Sequence, residues 1–323
     1  MPSWPGSTAP LLIGIDVSKA ELVIARSDSA DVAVVANTRQ AILAWLKHLP
    51  ATSKVALEAT GVYHREVAAL LCEAGHELYL LDAYKLSHYR SGVGTRAKTD
   101  MADARLILRY LTNELEALQP WQPPGEAFYR IQSLMRRRAK LVQTRIALSQ
   151  SLEGLPELEL LARQIDTLIR RVEALIVKRL AVVLKEVGWW EDTKRCRDIE
   201  GIGDLTAAAL TNTFHRGHFR SSDAFIAYLG MDVRVRDSGK QVGRRKLTKK
   251  GDPELRRLLY NAAMAARRTR AWKPLYQSYL TQGLKPIPAL VKLARKLARI
   301  AFALMKNQST YQPKTDEGDC YAT

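Results

Sequence analysis

Negative charge is scarce in this sequence. It has 33 Asp and Glu residues against 50 Lys and Arg residues, which gives a net charge of +17 over 323 residues. A pI near 9.9 predicts a polyanionic partner, with nucleic acid first and an anionic membrane surface a distant second. An apolar run long enough to span a bilayer and an initial signal segment are also missing, so we expect no membrane-embedded part.

Cysteine is scarce as well. Cys72, Cys196 and Cys320 are scattered and odd in number, which excludes a disulfide framework and a CxxC zinc pattern and fits a reducing cytosol. His215 and His218 form an HxxH pair, but no nearby Cys or His completes a ligand set. We therefore interpret both as solvated loop histidines.

The first third of the chain alternates short apolar runs with amphipathic segments. Strands followed by strands that alternate with helices predict an α/β sheet with mixed strand directions. The predicted strands cover residues 11–16, 22–25, 32–35, 54–58 and 77–81, and the predicted helices cover residues 38–49 and 62–74.

Carboxylates occupy the places where such a sheet would hold a ligand. Asp16 and Glu58 end two predicted strands, and Asp100 and Asp103 share one face of a helix start. These acids could meet at one edge, where they would repel one another without cations. We therefore predict a site for two Mg²⁺ ions roughly 4 Å apart. The alternative is that Asp16 and Glu58 cap strand-to-loop turns and that the helix pair is merely solvated.

A Pro-rich patch at residues 120–124 precedes a mainly helical remainder, with helices predicted over residues 127–152, 255–270 and 288–306. Between the first two of these helices, apolar residues recur at spacings of three and four. This heptad seam suits an antiparallel helical hairpin or a dimeric coiled coil, and both interpretations stay open. The seam consists of Leu158, Leu161, Ile165, Leu168, Val172 and Leu175.

Two further segments predict contacts with nucleic acid. The turn Gly201-Ile202-Gly203 between short helices is typical of a helix-hairpin-helix, in which Gly201 and Gly203 would present backbone N–H groups to a DNA phosphate. A plain tight turn is the alternative. Lys98 and Arg105 flank the acids of the helix start and are candidate phosphate contacts.

Residues 233–250 are strongly basic and contain the single acid Asp237. Glycines at 239, 243 and 251 predict a flexible segment that stays close to what it holds. Ser238 is a candidate nucleophile, because the surrounding cations would stabilise its alkoxide and a pentavalent phosphorus; an ordinary turn residue is the alternative. The candidate nucleic-acid contacts here are Arg234, Arg236, Lys240, Arg244, Arg245, Lys249 and Lys250.

Taken together, these motifs resemble the DEDD transposases of the IS one-ten family of bacterial insertion sequences, relatives of the Piv-type DNA invertase. The resemblance extends from Ile13 to about Lys306. The motifs are Gly14 to Lys19, Glu58 to Gly61, Lys98 to Asp100, Asp103 to Arg105, Gly201 to Gly203, Phe225 to Gly230, Ser238-Gly239, Lys249 to Gly251 and Leu255 to Ala263.

The resemblance implies a RuvC-like, RNase H-type domain in which Asp16, Glu58, Asp100 and Asp103 hold Mg²⁺. It implies that Ser238 forms a covalent link to DNA, that no nucleotide cofactor is used, and that a bridge RNA chooses donor and target DNA. Dimers or tetramers would let the acids of one subunit meet the serine of another, in the bacterial cytoplasm and associated with the nucleoid. The sequence contains every residue of the motifs given above.

The corresponding domains would be a RuvC-like domain over residues 11–118, a helical coiled-coil segment over 125–190 and a mainly α-helical transposase domain over 195–307, with disordered tails at 1–10 and 308–323. Two rival functions stay open. A RuvC-like structure-specific endonuclease would cleave DNA with water, and Ser238 would then be structural. A binder without enzymatic activity would need none of the acids.

Overall fold

The computed structural model describes residues 10–50, 52–59, 62–94, 99–234 and 245–313. The chain divides into two compact units, Met1–Pro123 and Pro124–Thr323.

The first unit is built on a five-stranded sheet with the strand order β3-β2-β1-β4-β5. β1 pairs antiparallel with β2 and parallel with β4, and β4 pairs parallel with β5. The mixed sheet predicted from the sequence is therefore confirmed. The strands are β1 (Leu11–Val17), β2 (Glu21–Arg26), β3 (Val32–Ala36), β4 (Ser53–Glu58) and β5 (Glu77–Leu81).

Helices pack on the sheet through separate apolar clusters. Ile13 and Ile15 of β1 pack in one cluster with Ile42 of α1 and Val67 of α2. Ala56 and Tyr79 of the sheet pack in another with residues of α3 and α4. The helices are α1 (Arg39–Leu46), α2 (His64–Glu73), α3 (Ala83–Gly92) and α4 (Asp100–Glu114).

The second unit begins with a helical hairpin of α5 (Glu126–Ser151) and α6 (Glu159–Glu186). Near its base, Ile131 of α5 packs with Leu180 and Val183 of α6. Farther out, the Arg145 guanidinium lies 2.9 Å from Glu173 and 3.2 Å from Asp166. The hairpin is thus closed by apolar contacts at one end and by ion pairs toward the other.

The predicted heptad seam does not close this hairpin. Leu161, Leu168 and Leu175 are exposed, with Leu168 at 61%. The helical hairpin predicted from the sequence is present, but the predicted residues do not form its contact. Arginine–carboxylate pairs take the place of the expected leucine packing. The seam residues on α6 instead form an exposed apolar stripe, which consists of Leu161, Ile165, Leu168, Val172 and Leu175.

The rest of the second unit packs around its last helix, where Leu293, Leu297 and Phe302 share a core with Phe225. A two-stranded antiparallel ribbon accompanies the helices. These elements are α7 (Trp190–Arg197), α8 (Asp204–Phe214), α9 (Ser222–Tyr228), β6 (Val233–Arg234), β7 (Lys246–Leu247), α10 (Pro253–Ala266), α11 (Lys273–Thr281) and α12 (Pro286–Asn307).

Contacts continue beyond α12, where the sequence predicts a tail from residue 308. The Gln308 amide donates to Asp192 at 3.2 Å, and Tyr311 packs against the core. The packed part of the chain therefore reaches Tyr311. Among the residues that the structure describes, no helix combines the length and apolar character needed to cross a membrane.

Candidate active site

Two of the predicted acids lie side by side at the carboxyl edge of the sheet. Asp16 is the next-to-last residue of β1, and Glu58 is the last residue of β4. The two strands run parallel, with Ile15 paired to Leu57, so the residue that follows each of these comes to the same edge. Open α/β sheets commonly bind ligands at this edge.

Helix α4 brings the other two acids to β1. It begins at Asp100 because Thr99 caps it: the Thr99 hydroxyl accepts a hydrogen bond from the Ala102 N–H at 3.2 Å. Capping fixes the first turn, which carries both Asp100 and Asp103. Sequence reasoning missed the role of Thr99, although a Thr just before an apolar-periodic segment is an N-cap signal.

Gly14 makes the close approach of α4 possible. A Cβ atom at this position would lie 2.3 Å from the Leu108 nitrogen and 2.5 Å from the Ala104 carbonyl oxygen. The backbone of α4 therefore rests directly on β1, two residues before Asp16. Sequence reasoning assigned no such role to Gly14, although a glycine inside a strand pattern indicates a close backbone approach.

The electrostatics of Asp16 reflect this gathering of acids. The pKa of the Asp16 carboxyl is raised from 3.8 to about 6, first by burial and then by the charges of Asp103, Asp100 and Glu58, against a backbone hydrogen bond from Val17 that lowers it. The other three predicted acids therefore all act on Asp16. Asp16 carries a negative charge that the surrounding protein disfavours.

Asp103 has an additional neighbour, Arg90 of α3, whose guanidinium lies 2.8 Å from Asp103 Oδ1. The same Oδ1 is buried and accepts no hydrogen bond with acceptable geometry. The contact is therefore an ion pair by distance but leaves this oxygen without a directed donor. No signal in the sequence identifies Arg90, because the pair joins two different helices and forms only in the tertiary structure.

The acids do not form a finished ligand set. Within the described ranges, no group of three or more His, Cys, Asp or Glu side chains is arranged to hold a metal ion. The donor chemistry nevertheless fits a hard cation, because such ions take carboxylate oxygens. The buried, undonated Oδ1 of Asp103 and the raised pKa of Asp16 are two features that a bound cation would relieve.

The ends of the basic segment meet in the ribbon of β6 and β7. Arg234 pairs with Lys246, and Val233 pairs with Leu247. The Thr248 hydroxyl is hydrogen-bonded to the Asp232 carboxylate, and the Lys249 N–H donates to the Gly230 carbonyl at 3.2 Å. Ser238, Arg236, Lys240 and Arg244 fall outside the described residues, as does Lys98.

Gly251 is a packing residue, which corrects the prediction that it contributes flexibility. A Cβ atom there would lie 2.6 Å from the Tyr228 carbonyl oxygen and 2.9 Å from the Gly230 nitrogen. The Gly251 carbonyl also accepts a hydrogen bond from Arg256 at 2.8 Å. Two stretches of backbone therefore cross in contact just after the ribbon. This crossing fixes the backbone next to the exposed side chains of Lys249 and Lys250.

Two of the other predicted contact residues, Arg105 and Gly201, have structural contacts. The Arg105 guanidinium donates to the Ala30 carbonyl at 3.1 Å. Gly201 has a φ of +94°, and a Cβ atom there would lie 2.5 Å from Ala266 Cβ, so packing alone accounts for this glycine. Gly203 precedes α8 in open space. Arg234 and Arg245 are exposed.

His215 is not a solvated loop residue, contrary to the prediction. It follows α8, its ring stacks on Trp189 at 4.4 Å, and its Nε2 lies 2.9 Å from the Asp192 carboxylate. His218 is exposed. The HxxH spacing carried no information about these partners, which come from a different helix.

Two family models match the chain. A family described as "Transposase" and designated DEDD_Tnp_IS110 covers residues 13–156, and the "Transposase IS116/IS110/IS902 family" covers residues 193–277. The chain carries the domains of an IS110-family transposase. The first match spans the four carboxylates, and the second spans the ribbon and the basic segment. A DEDD-type transposase domain indicates a DNA-acting enzyme that depends on divalent metal ions.

Several proteins similar to this chain carry related names. A "Probable family 20 transposase" of Pseudomonas aeruginosa is 27% identical over 93% of this chain and 98% of its own length. A "Pilin gene-inverting protein" of Moraxella lacunata is 23% identical over 82% of this chain and 84% of its own length. The "Transposase for insertion sequence element IS1111A" of Coxiella burnetii is 32% identical over 38% of this chain and 35% of its own length.

Proposed function

We propose that this transposase recombines DNA through a covalent phosphoserine intermediate at Ser238, with Mg²⁺ held by Asp16, Glu58, Asp100 and Asp103. The observation that carries the proposal is the electrostatic coupling of Asp16 to the other three acids. Like charges gathered at a sheet edge destabilise a protein unless a cation compensates them. The site therefore has the character of a cation site more than of a structural ion-pair network.

Two Mg²⁺ ions at such a site would supply positive charge for the attacking and leaving oxygens of a phosphoryl transfer. The protein's own part is to hold the acids. Thr99 fixes the first turn of α4, Gly14 admits the helix onto β1, and Arg90 restrains Asp103. Each of these contacts helps to fix the position of a carboxylate. None of them transfers a proton.

In the proposed step, Ser238 Oγ attacks a backbone phosphorus of the DNA. A new O–P bond forms while one P–O bond to the adjoining nucleotide breaks, so the departing strand leaves as an alkoxide that takes up a proton and Ser238 loses one. The phosphodiester energy is kept in the phosphoserine, and attack by a DNA hydroxyl on that bond rejoins the strands. No nucleotide cofactor is required. Lys249 and Lys250 are suited to neutralise phosphate charge, because they are exposed cations on a stretch of backbone that the contacts of Gly251 fix.

Guidance by a bridge RNA also belongs to this proposal. The net charge of +17 suits binding to the backbones of DNA and RNA alike, and a protein that delegates sequence choice to base pairing needs no base-reading helix of its own.

We further propose a homodimer or homotetramer in which the exposed stripe of α6 is covered by a second copy. Leu161, Leu168 and Leu175 are large apolar side chains exposed in succession on one helix, at the heptad spacing that coiled-coil partners use. Size measurement of the chain with Leu168→Glu and Leu175→Glu tests this: the proposal expects dissociation to smaller species.

A covalent-trapping assay tests the central proposal. Full-length protein, Mg²⁺, DNA with the element's joined ends and RNA transcribed from its flanks are combined and separated on a denaturing gel. We expect a protein–DNA adduct that disappears with Ser238→Ala and with Asp100→Ala. Thr248→Ala is the matched control, because the Thr248 hydroxyl is engaged by Asp232 and removing it leaves the proposed nucleophile in place.

The principal rival is a RuvC-like metal-dependent endonuclease that uses water. It expects cleavage without an adduct, unchanged by Ser238→Ala but lost with Asp100→Ala. That result would remove Ser238 from the mechanism and leave the acids in it.

A further inference from the structure

Arg90 brings a positive charge to the acids that are proposed to hold a metal ion. Its guanidinium lies 2.8 Å from Oδ1 of Asp103, and only 21% of the Arg90 side chain and 17% of the Asp103 side chain are exposed. Water therefore screens the attraction between these two charges less than it would on the open surface. A divalent cation that approaches Asp103 meets a carboxylate that already has a cationic partner.

The backbone of Arg90 is held against the same helix that carries Asp103. Its neighbour in α3, Tyr89, accepts a hydrogen bond at its hydroxyl from the Asn113 side-chain amide at 2.7 Å. The Tyr89 ring also meets the Tyr110 ring edge-on, with the ring centroids 4.8 Å apart. Asn113 and Tyr110 both belong to α4. These contacts fix the place from which the Arg90 side chain extends, so its charge is a built-in part of the surroundings of Asp103.

The guanidinium holds Asp103 by charge and not by a directed hydrogen bond. Oδ1 of Asp103 is buried, yet no N–H group of a described residue points at it with acceptable geometry. The structural ion pairs of the second unit differ, because Arg145 donates to Glu173 at 2.9 Å and Arg195 donates to Asp192 at 2.8 Å. A charged contact without an aligned hydrogen bond is the weaker kind. The contact at Asp103 is therefore the one of these three that a metal ion replaces most easily.

This contact also affects how a cation can approach. Among the described residues, no three acids are arranged to hold a metal ion, and Asp103 has one of its two oxygens against Arg90. Since that oxygen is buried, a cation reaches it only after the side chains have moved. A cation that used the other oxygen of Asp103 would still be repelled by the guanidinium. By either route, the positive charge of Arg90 opposes the binding of a metal ion.

We propose that Arg90 is an internal counter-ion, which takes the place of a divalent cation at Asp103 in the metal-free protein and competes with Mg²⁺ for that carboxylate. Arg90 thereby stabilises the gathered acids before a metal ion binds and lowers the affinity of the site for Mg²⁺. It is a positioning residue, because it acts through Asp103. The inference rests on the proposed function, since it requires that these acids bind a divalent cation.

Mg²⁺ titrations of the unfolding free energy of the full-length protein test this inference, with the ionic strength held constant. Arg90→Met removes the charge and keeps an unbranched side chain. Without Mg²⁺, this variant should be less stable than the unaltered protein, because Asp103 loses its counter-ion. Its affinity for Mg²⁺, taken from the dependence of stability on Mg²⁺ concentration, should be about tenfold higher, the order expected for one screened charge interaction. The two effects have opposite signs.

Matched variants separate the charge of Arg90 from its other properties. Arg90→Lys keeps the charge and should keep an Mg²⁺ affinity close to that of the unaltered protein. Arg39→Met is the control, because Arg39 is an exposed arginine of the first unit that pairs with Glu66 at 3.8 Å, and it should leave the Mg²⁺ affinity unchanged. If Arg90→Met fails to fold, Arg90→Gln, which retains a polar side chain, takes its place.

Other roles for Arg90 predict other results. If Arg90 orients Asp103 for the metal ion, Arg90→Met should bind Mg²⁺ more weakly; if Arg90 only stabilises the fold, the affinity should not change. Either result would overturn the inference. The proposed cation site would still stand if Mg²⁺ stabilises the unaltered protein and not Asp16→Asn. Binding of Mg²⁺ by neither the unaltered protein nor Arg90→Met would overturn both.

Discussion

Acidic side chains are treated in opposite ways by the two units. In the second unit, Asp192 is 7% exposed and is satisfied by Arg195 at 2.8 Å and His215 at 2.9 Å. Burial acts to raise its pKa, but the hydrogen bond and charge of His215, with help from Gln308 and Arg195, lower it overall. In the first unit, burial and other acids raise the pKa of Asp16 to about 6.

The difference separates acids that stabilise the fold from the acids for which we propose a cation-binding role. Where a carboxylate holds a structural role, as Asp192 and Glu173 do, arginines surround it. Asp16 has no ion pair with a described residue, and the charges that shift its pKa are those of other acids. Perturbed carboxylates of this kind cluster at functional sites. The comparison therefore supports the cation-binding role proposed for the first unit.

The largest expected effect is on activity. Asp16→Asn and Asp100→Asn should each lower adduct formation by about 10²–10³-fold, the scale of losing one preorganised charge interaction in a transition state. The yield of the covalent-trapping assay measures it. The matched control is Asp223→Asn, because Asp223 is an exposed acid of the second unit that pairs with Arg299; this variant should keep the full adduct yield. Equal losses of adduct in all three variants would contradict the proposed difference between the acids of the two units.

Gly14→Ala tests the packing that brings the acids together. A methyl group 2.3 Å from the backbone of α4 must displace that helix, so we expect a loss of about 3 kcal/mol in the free energy of unfolding. Chemical denaturation measures the loss. Gly92→Ala, at a helical position with open space around it, should change stability by less than about 1 kcal/mol. A tolerated Gly14→Ala would show that α4 does not rest on β1 as described.

Asp192→Asn tests the structural acid. Removing a buried charge that His215 and Arg195 share should cost about 2 kcal/mol of unfolding free energy. Asp223→Asn again serves as control, because its pair is exposed and should be worth less than about 1 kcal/mol. Equal melting temperatures for the two variants would contradict the structural role given to Asp192.

The smallest expected effect is on pH dependence. Because the folded pKa of Asp16 of about 6 lies above the ordinary 3.8, the folded protein binds this proton more tightly than the unfolded chain does. Metal-free protein should therefore lose roughly 1–2 kcal/mol of stability as pH rises from about 4 to above 6. The difference in unfolding free energy between the unaltered protein and Asp16→Asn isolates this term; a difference that does not vary with pH would contradict it.

Much of the first unit could be predicted from local patterns. Apolar runs that end in Asp16 and Glu58 and a helix that starts at Asp100 are properties of consecutive residues, and the mixed sheet followed from their order. Helix α3 escaped prediction because Leu86 is its only buried residue, so its sequence shows no apolar periodicity. The ion pair of Arg90 with Asp103 depended on that missed helix.

Prediction in the second unit failed where the residues that a side chain contacts lie outside its local sequence pattern. The heptad spacing of Leu161, Leu168 and Leu175 identified an apolar stripe but not what covers it. Gly251 was assigned flexibility from composition, whereas a crossing of distant backbone segments determines its role. His215 was placed in a loop because its partners, Trp189 just before α7 and Asp192 within α7, are distant from it in the sequence.

The central claim is that the acids of the first unit bind a divalent cation, and a Mg²⁺ titration of the unfolding free energy tests it most directly. At a concentration of 100 times the dissociation constant, binding to the folded state alone adds about 2.7 kcal/mol. We predict such stabilisation for the unaltered protein and for Asp192→Asn, and its loss in Asp16→Asn. Stabilisation of Asp16→Asn equal to that of the unaltered protein, or no stabilisation of either, would contradict the claim.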